Sequence, residues 1–231
     1  MNIIITGASK GIGRETAIDL AADKNNSILA ISRSEEELKS LRDQATGGNI
    51  DILPGDLVEM TREYKKLSAI ICEKYTRVDI LINNAGLVIP KPFGEYSVID
   101  DEKVIETNFT SHMRFTRMVL PLMRRGSHVV NIGSMGGVQG SPKYPGLSIY
   151  SAAKAAIAVL TESLATEYKG TGIHFNCLSF GAVQTEMLES AFPGFKAPIS
   201  AAGIAQFVSW FACNGQKFFN GKVLPVSVAN P

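Results

Sequence analysis

The chain has 231 residues, of which 45% are hydrophobic and 19% are charged, and this composition excludes intrinsic disorder and fibrous repeats. Its 23 Lys and Arg residues nearly balance 22 Asp and Glu residues, so the basic excess of nucleic-acid-binding proteins is missing. No apolar run reaches the ~20 residues of a membrane span, and residues 1–5 carry no signal-peptide pattern. We therefore expect a cytoplasmic protein whose partners include neither nucleic acid nor membrane.

The cysteines Cys72, Cys177 and Cys213 are odd in number and widely spaced. This arrangement fits neither a disulfide framework nor a zinc cluster. The sequence therefore predicts reduced, buried thiols and no metal site.

Short β-branched runs alternate with stretches of helical periodicity from one end of the chain to the other, which is typical of parallel βαβ units. We predict an α/β fold: a single Rossmann-type doubly wound parallel sheet of about seven strands, with helices on both faces and one domain over residues 1–231. The predicted strands cover residues 3–5, 27–32, 51–53, 79–82, 128–132, 174–178 and 222–226.

Helices are predicted between these strands. Ser34 and Glu37 have the spacing of a capping box, and Pro121 is expected to kink the helix that contains it. The predicted helices cover residues 12–23, 35–45, 61–75, 101–125, 149–168 and 201–213. Three irregular stretches, residues 87–97, 135–148 and 186–200, follow predicted strands and so should wall a pocket at the carboxyl edge of the sheet.

A glycine-rich turn, Thr6-Gly7-Ala8-Ser9-Lys10-Gly11-Ile12-Gly13, links the first predicted strand to the first predicted helix. Glycines let a pyrophosphate approach the backbone, and a helix N-terminus offers free N–H groups to an anion. The alternative is that these glycines serve turn geometry alone.

Tyr150 and Lys154 lie four residues apart on a predicted helix, so their side chains share one face. An ammonium close to a phenol favours the phenolate, which predicts a lowered pKa for Tyr150 and acid/base chemistry near neutrality. The alternative is a surface tyrosine beside a solvated lysine.

The Gly-x-x-x-Gly-x-Gly spacing resembles that of the short-chain dehydrogenase/reductase family, and further segments follow in the family's order. They are Asn83-Asn84-Ala85-Gly86, Asn108, Ser134 and Tyr150-Ser151-Ala152-Ala153-Lys154. The resemblance spans nearly the whole chain. It implies a nicotinamide-dependent oxidoreductase that reduces a carbonyl to an alcohol or catalyses the reverse, acting on a small molecule as a homodimer or homotetramer.

The resemblance also implies roles for single residues. Tyr150 donates a proton to the carbonyl oxygen, Ser134 hydrogen-bonds that oxygen, Lys154 holds the nicotinamide ribose, and Asn108 orders a water relay. Asp56 contacts adenine or simply caps a helix, whereas Val183 and Thr185 hold the nicotinamide carboxamide. The implied cofactor-binding residues are Gly7, Ser9, Lys10, Gly11, Ile12, Gly13, Arg33, Asp56, Leu57, Asn83, Ala85, Gly86, Tyr150, Lys154, Val183 and Thr185.

The second strand ends in Ser32, where a cofactor site for NAD(H) generally places a carboxylate, and Arg33 follows at once. Arg33 and Lys10 are suited to a 2′-phosphate, so NADP(H) is the expected cofactor and NAD(H) the less favoured one. The alternative is that both are solvated cations, with Arg33 paired to Glu36 or Glu37.

The chain departs from the family pattern in three places. Phe180 replaces the usual proline, the segment from Ser134 to Tyr150 is longer and should bulge outward, and the ending at residues 226–231 lacks Asp-Gly-Gly. A non-catalytic NADP-binding regulator therefore remains an alternative function. Apolar residues expected along the pocket are Leu87, Val88, Ile89, Phe93, Met187, Leu188, Phe192 and Phe195.

Overall fold

A computed structural model describes residues 1–47 and 49–228, so the expectation about the chain ending lies, for residues 229–231, outside the described part. Within it, the predicted seven-stranded sheet is confirmed, and every neighbouring pair of strands is parallel. The strands of the sheet are β1 (Asn2–Thr6), β2 (Ser27–Ser32), β3 (Ile50–Pro54), β4 (Ile80–Asn83), β5 (His128–Ser134), β6 (His174–Phe180) and β9 (Lys222–Val226). Their order across the sheet is β3-β2-β1-β4-β5-β6-β9.

A separate parallel pair, β7 (Val183–Gln184) with β8 (Ile199–Ser200), was not predicted. Each strand is two residues long, too short for any periodicity to register. The helices are α1 (Gly11–Ala21), α2 (Glu35–Gln44), α3 (Leu57–Arg62), α4 (Tyr64–Lys74), α5 (Val98–Ile105), α6 (Ser111–Val119), α7 (Ser148–Glu167), α8 (Glu186–Ala191) and α9 (Ala201–Asn214).

Alternate residues of the central strands enter two separate cores. On one face, Ile3 and Ile5 of β1 pack in a cluster with residues of α1, α2 and α9. On the other face, Ile4 joins a cluster with residues of α4, α6 and α7. The period-two alternation of an extended strand therefore places helices on both faces, as predicted.

Two helix predictions were wrong in their extent. The predicted helix over residues 61–75 is two helices, because Asp56 caps α3 at Leu57 and Glu63 leaves helical geometry at ψ 52°. The predicted helix over residues 101–125 is divided into α5, a π-helical turn over Glu106–Thr110, and α6. Pro121 ends α6 through a 3₁₀ turn rather than kinking it.

The capping prediction at Ser34 was correct for one of its two hydrogen bonds. Ser34 Oγ accepts from the backbone N–H of Glu37 at 3.3 Å, while the Glu37 carboxylate faces Lys10. Among the described residues, no helix is both long and apolar enough to cross a membrane.

Candidate active site and cofactor site

A cavity of about 560 Å³ opens at the carboxyl edge of the sheet. Its lining includes the glycine-rich turn, the ends of β2, β5 and β6, and residues of all three irregular stretches that the sequence predicted as walls. Because all strands of the sheet are parallel, their carboxyl ends meet at this edge, and the loops that follow them converge there.

The glycine-rich turn has a backbone conformation and close contacts that leave no room for larger side chains at its glycines. Gly7 and Gly11 have φ values of +67° and +54°, in the left-handed region that favours glycine. A Cβ on Gly13 would lie 2.3 Å from Asn84 Nδ2 and 2.5 Å from the carbonyl oxygen of Gly7. Gly13 therefore packs beneath the turn, whereas Gly7, Ser9, Lys10, Gly11 and Ile12 line the cavity.

Two residues that the sequence analysis did not assign hold this turn in place. Thr6 Oγ1 accepts from the backbone N–H groups of Asn84 and Ala85 at 3.0 Å and 3.2 Å. Asn84 Nδ2 donates to the carbonyl oxygens of Thr6 and Gly7 at 3.1 Å and 3.0 Å. The segment after β4 is thus hydrogen-bonded directly to the turn after β1. In the sequence, the only indication of a role for Asn84 was its position beside Asn83.

At the end of β2, Ser32 and Arg33 line the cavity, and neither has a carboxylate. Ser32 Oγ lies 2.7 Å from Ser9 Oγ, which ties β2 to the glycine-rich turn. Arg33 is exposed and lines the cavity, and no carboxylate of the described chain lies within 4.0 Å of its guanidinium. It is Lys10 that approaches Glu37, at 3.7 Å between exposed side chains.

Asp56 caps a helix and also lies where it could contact a cofactor, so the structure is compatible with both interpretations of this residue. Its Oδ1 accepts from the backbone N–H of Val58 at 2.8 Å and caps α3, and the residue also lines the cavity beside Leu57. Ala85 and Gly86 line the cavity as well.

Ser134, Tyr150 and Lys154 meet on one wall of the cavity. Ser134 ends β5, whereas Tyr150 and Lys154 lie one turn apart on α7. Lys154 is only 4% exposed; its Nζ donates to the carbonyl oxygen of Ile132 at 2.9 Å and lies 5.7 Å from the Tyr150 ring centroid. The geometry therefore brings the predicted acid, its hydroxyl neighbour and the lysine together.

The expected lowering of the Tyr150 pKa is wrong for the protein alone. Burial raises the pKa of Tyr150, and a hydrogen bond with Ser134 opposes this increase only in part. Burial also lowers the pKa of Lys154 to about 8, with a smaller opposing influence from Cys177. The ammonium is directed to the Ile132 carbonyl, so it does not favour the phenolate enough to offset the lost hydration.

Asn83 and Asn108 do not reach the cavity. Asn83 is fully buried and its Nδ2 donates to Thr116 Oγ1 and Asn131 Oδ1, both at 2.8 Å. Asn108 lies in the π-helical turn and is bonded through its side chain to both the N–H and the carbonyl of Leu87. The structure thus gives Asn83 a supporting place, and it bonds Asn108 to Leu87 in the segment that follows β4.

Part of the cavity lining is apolar. Leu87, Val88, Met187, Leu188, Phe192 and Phe195 line the cavity as predicted, but Ile89 and Phe93 do not, and Phe93 is 71% exposed. The longer loop after Ser134 contributes Tyr144 and Leu147 to the wall and exposes Pro142, Lys143 and Pro145. Its outward bulge therefore leaves Ser134 and Tyr150 side by side.

The segment after β6 completes the site. Phe180 is a regular strand residue whose backbone pairs with Ser134 and Val226, so the missing proline causes no break. Val183 and Thr185 line the cavity, and Thr185 Oγ1 caps α8 by accepting from the N–H of Leu188 at 3.2 Å. Helix α8 lies in a stretch predicted to be irregular, and Thr185 was its sequence signal.

Comparison with known proteins gives one consistent family. The short chain dehydrogenase family model matches residues 1–194. Ketoacyl reductase HetN of a Nostoc species is 32% identical over 214 residues, which cover 87% of this chain and 72% of HetN. The 3-oxoacyl-(acyl-carrier-protein) reductase FabG of Thermotoga maritima is 29% identical over 237 residues, covering 96% and 94% of the two chains.

A solved structure with a bound cofactor is also similar. The crystal structure of an Escherichia coli short chain dehydrogenase complexed with NADPH matches with a TM-score of 0.87 at 27% identity, covering 97% of this chain and 95% of that one. The match extends along the chain well beyond the residues covered by the family model.

Proposed function

Because the chain belongs to the short chain dehydrogenase family, we propose that it is an NADP(H)-dependent oxidoreductase that reduces a carbonyl group to an alcohol, or catalyses the reverse reaction. One catalytic domain over residues 1–231 is part of this proposal. The observation that carries it is the meeting of Ser134, Tyr150 and Lys154 in the same cavity as the glycine-rich turn and Arg33.

Tyr150 is the proton donor in this proposal. Its phenol is protonated at neutral pH, because burial raises its pKa, and Ser134 is its hydrogen-bonding neighbour. Protonation of the carbonyl oxygen by Tyr150, with a hydrogen bond from Ser134 to that oxygen, neutralises the negative charge that develops there. When bound, NADPH supplies the hydride to the carbonyl carbon.

The residues fit a dinucleotide. Cβ atoms on Gly7 or Gly13 would overlap neighbouring backbone or side-chain atoms, and the free N–H groups of α1 open onto the cavity at Gly11 and Ile12. An anion such as pyrophosphate is stabilised at such a helix N-terminus. Lys154 would hold the nicotinamide ribose, Asp56 and Leu57 the adenine, and Val183 and Thr185 the carboxamide.

Preference for NADP(H) over NAD(H) follows from charge. Ser32 occupies the position where a carboxylate would repel a 2′-phosphate, and the exposed guanidinium of Arg33 is available to bind one through parallel N–H bonds. Lys10 would contribute a second positive charge, although the nearby Glu37 carboxylate offsets part of it.

The proposed substrate class follows from the apolar part of the cavity lining. Met187, Leu188, Phe192 and Phe195 favour a small or medium apolar carbonyl compound, such as a ketone, a pterin with a side-chain carbonyl, or an acyl derivative. HetN is named a ketoacyl reductase and FabG a 3-oxoacyl reductase, so 3-oxoacyl thioesters come first in a substrate panel.

The experiment that tests this function follows NADPH oxidation by the purified protein against that panel. Turnover with at least one carbonyl compound supports the proposal. Tight NADPH binding without turnover of any compound would instead favour the alternative, a non-catalytic NADP-binding regulator with the same fold.

We also propose a homodimer or homotetramer. Val98 and Ile99 on α5 and Val159 on α7 are 72%, 61% and 60% exposed, which is unusual for aliphatic residues on neighbouring helices. A second copy covering these helices would remove that apolar surface from water. A strictly monomeric mass by light scattering at micromolar protein would contradict the assembly. A cytoplasmic location remains part of the proposal. The three cysteines are free, but only Cys177 is buried, so the expectation of buried thiols was wrong for the exposed Cys72 and the partly exposed Cys213.

A further inference from the structure

A short segment between β7 and β8, here called the wall segment (residues 185–198), supplies much of the apolar cavity lining. It consists of α8 with its capping residue and the loop that follows the helix. Its apolar lining residues are Met187, Leu188, Ala191, Phe192 and Phe195. Met187 and Phe195 are 41% and 44% exposed, so they offer surface that an apolar substrate can cover. The position of the wall segment therefore determines the shape of the proposed substrate site.

Both ends of the wall segment are fixed. Val183 of β7 pairs with Ile199 of β8, and both pack in the core shared with α1, α2 and α9. At the N-terminal end, Thr185 caps α8 and lies against the glycine-rich turn, since a Cβ on Gly11 would lie 3.2 Å from Thr185 Cγ2. The residues between these two ends need support of their own.

The loop after α8 has little apolar packing. Residues 193–196 are all exposed. A cleft of about 360 Å³, separate from the main cavity, is lined by Gln184, Glu189, Gly194, Lys196 and Ala197. A loop with few buried apolar contacts opens easily unless hydrogen bonds hold it. Hydrogen bonds are therefore the interactions that can fix this part of the wall segment.

The side chain of Gln184 supplies these hydrogen bonds. Its Oε1 accepts from the backbone N–H of Ala197 at 2.8 Å, and its Nε2 donates to Glu189 Oε2 of α8 at 3.1 Å. The other carboxylate oxygen of Glu189 accepts from the backbone N–H of Gly194 at 3.5 Å. These three bonds, here called the Gln184 bracket, join α8 to the far end of the wall segment, 13 residues along the chain from Gln184.

We propose that Gln184 is a positioning residue that fixes the wall segment through this bracket and thereby sets the affinity for an apolar carbonyl substrate. Gln184 is not among the described residues that line the main cavity, so it acts through the apolar residues of the segment. These residues lie against the substrate in its ground state and in its transition state alike, so the bracket should affect KM more than kcat. This inference rests on the proposed function, in which the cavity binds such a substrate.

The first test is Gln184→Leu, which removes both polar side-chain atoms at similar volume and leaves the backbone pairing of Gln184 with Ser200 intact. KM for the best apolar carbonyl substrate should rise by about 3- to 10-fold, the usual effect of losing a hydrogen bond, while kcat changes by less than about twofold. NADPH affinity, measured by fluorescence, serves as the folding control. An unchanged KM, or an effect confined to kcat, would overturn the proposal.

A pair of substitutions tests the contact between Gln184 and Glu189 itself. Gln184→Glu brings a second carboxylate against Glu189, so like charges repel and KM should rise at least as far as in Gln184→Leu. Adding Glu189→Gln exchanges the two groups: the introduced amide can donate to the introduced carboxylate, which can still accept from Ala197. The double variant should therefore return to within about twofold of the wild-type KM. A double variant no better than Gln184→Glu would contradict the bracket.

Limited proteolysis measures the bracket without any turnover. Lys196 is the only Lys or Arg in the wall segment, it is exposed, and the next residue, Ala197, has the N–H that Gln184 holds. Trypsin cleavage after Lys196, identified by mass spectrometry, should be several-fold faster in Gln184→Leu than in wild type, and the double variant should return to the wild-type rate. Equal cleavage rates in wild type and Gln184→Leu would overturn the bracket. If the wild type reduces no carbonyl compound, the proposed function fails, but this measurement still decides whether Gln184 holds the segment.

Discussion

The ammonium of Lys10 lies 3.7 Å from the carboxylate of Glu37 at the rim of the cofactor cavity. Because Glu37 approaches Lys10 rather than Arg33, no carboxylate shields the Arg33 guanidinium within the described chain. A phosphate on the adenosine ribose would therefore meet an unpaired cation at Arg33 and a partly compensated one at Lys10.

Arg33→Ala should raise the KM for NADPH by about 10- to 100-fold and leave that for NADH nearly unchanged, because a charge-assisted bond to the 2′-phosphate is lost. Steady-state kinetics with each cofactor checks this expectation. Arg42→Ala is the control, since Arg42 is an exposed arginine in the last turn of α2 that pairs with Asp43 and does not line the cavity. Equal increases for the two cofactors would show that Arg33 does not recognise the phosphate.

Gly13→Ala should destabilise the protein by about 1–3 kcal/mol and weaken NADPH binding. The added methyl group would overlap Asn84 Nδ2 and the carbonyl oxygen of Gly7, the two groups whose hydrogen bond holds the turn. Denaturant unfolding and cofactor titration measure the two effects. Gly94→Ala is the control, because a Cβ there meets nothing within 4 Å. Native stability in Gly13→Ala would refute the close packing.

The sequence was sufficient to predict the sheet and to predict that Ser134, Tyr150 and Lys154 lie together on one wall of the cavity. Buried parallel strands have continuous β-branched runs, such as Ile3 to Ile5, and these run close to the observed bounds. The helical spacing of Tyr150 and Lys154 likewise requires them to share a face.

Other features were beyond the sequence because one-dimensional periodicity does not record them. The π-helical turn at Glu106–Thr110 changes the helical phase over a single turn. The two-residue strands β7 and β8 form by pairing with each other, so neither has a sequence pattern of its own. The sequence around His112 does not distinguish a buried imidazole from an exposed one. The sign of the Tyr150 pKa change depends on burial, which becomes measurable only after folding.

The lowered pKa of Lys154 leads us to expect opposite effects of alkaline pH on activity and on stability. Burial lowers its pKa to about 8 in the folded protein, so turnover that depends on the ammonium should fall above that pH. The unfolded chain retains this proton up to about pH 10.5, so the contribution of Lys154 to stability should rise with pH between these values.

The measurements are pH–rate profiles and denaturant unfolding at about pH 8 and about pH 10. Lys154→Met should abolish the rise in stability that belongs to this residue. An identical pH dependence of unfolding in wild type and Lys154→Met would show that the lysine titrates normally.

Acidification should destabilise the protein through its buried histidines. Burial lowers the pKa of His128 to about 4, although a hydrogen bond to the Ala212 carbonyl opposes this, and His112 shifts in the same direction. The unfolded chain takes up protons on these histidines below about pH 6.5, so the stability falls from there toward about pH 4.

Between about pH 7 and about pH 5 the expected loss is about 2 kcal/mol for each of the two residues. His128→Gln should reduce this pH dependence, as followed by urea unfolding at both pH values. If the wild type and His128→Gln lose the same stability, His128 does not contribute.

The most direct test of the central claim compares NADPH oxidation by wild type and Tyr150→Phe on the best carbonyl substrate, with both proteins saturated with cofactor. Phenylalanine retains the ring and removes only the hydroxyl beside Ser134, so NADPH binding should persist. Turnover should fall by about 100- to 10,000-fold, the usual effect of losing a positioned general acid. A Tyr150→Phe rate close to the wild-type rate would contradict the assignment of Tyr150 as the proton donor.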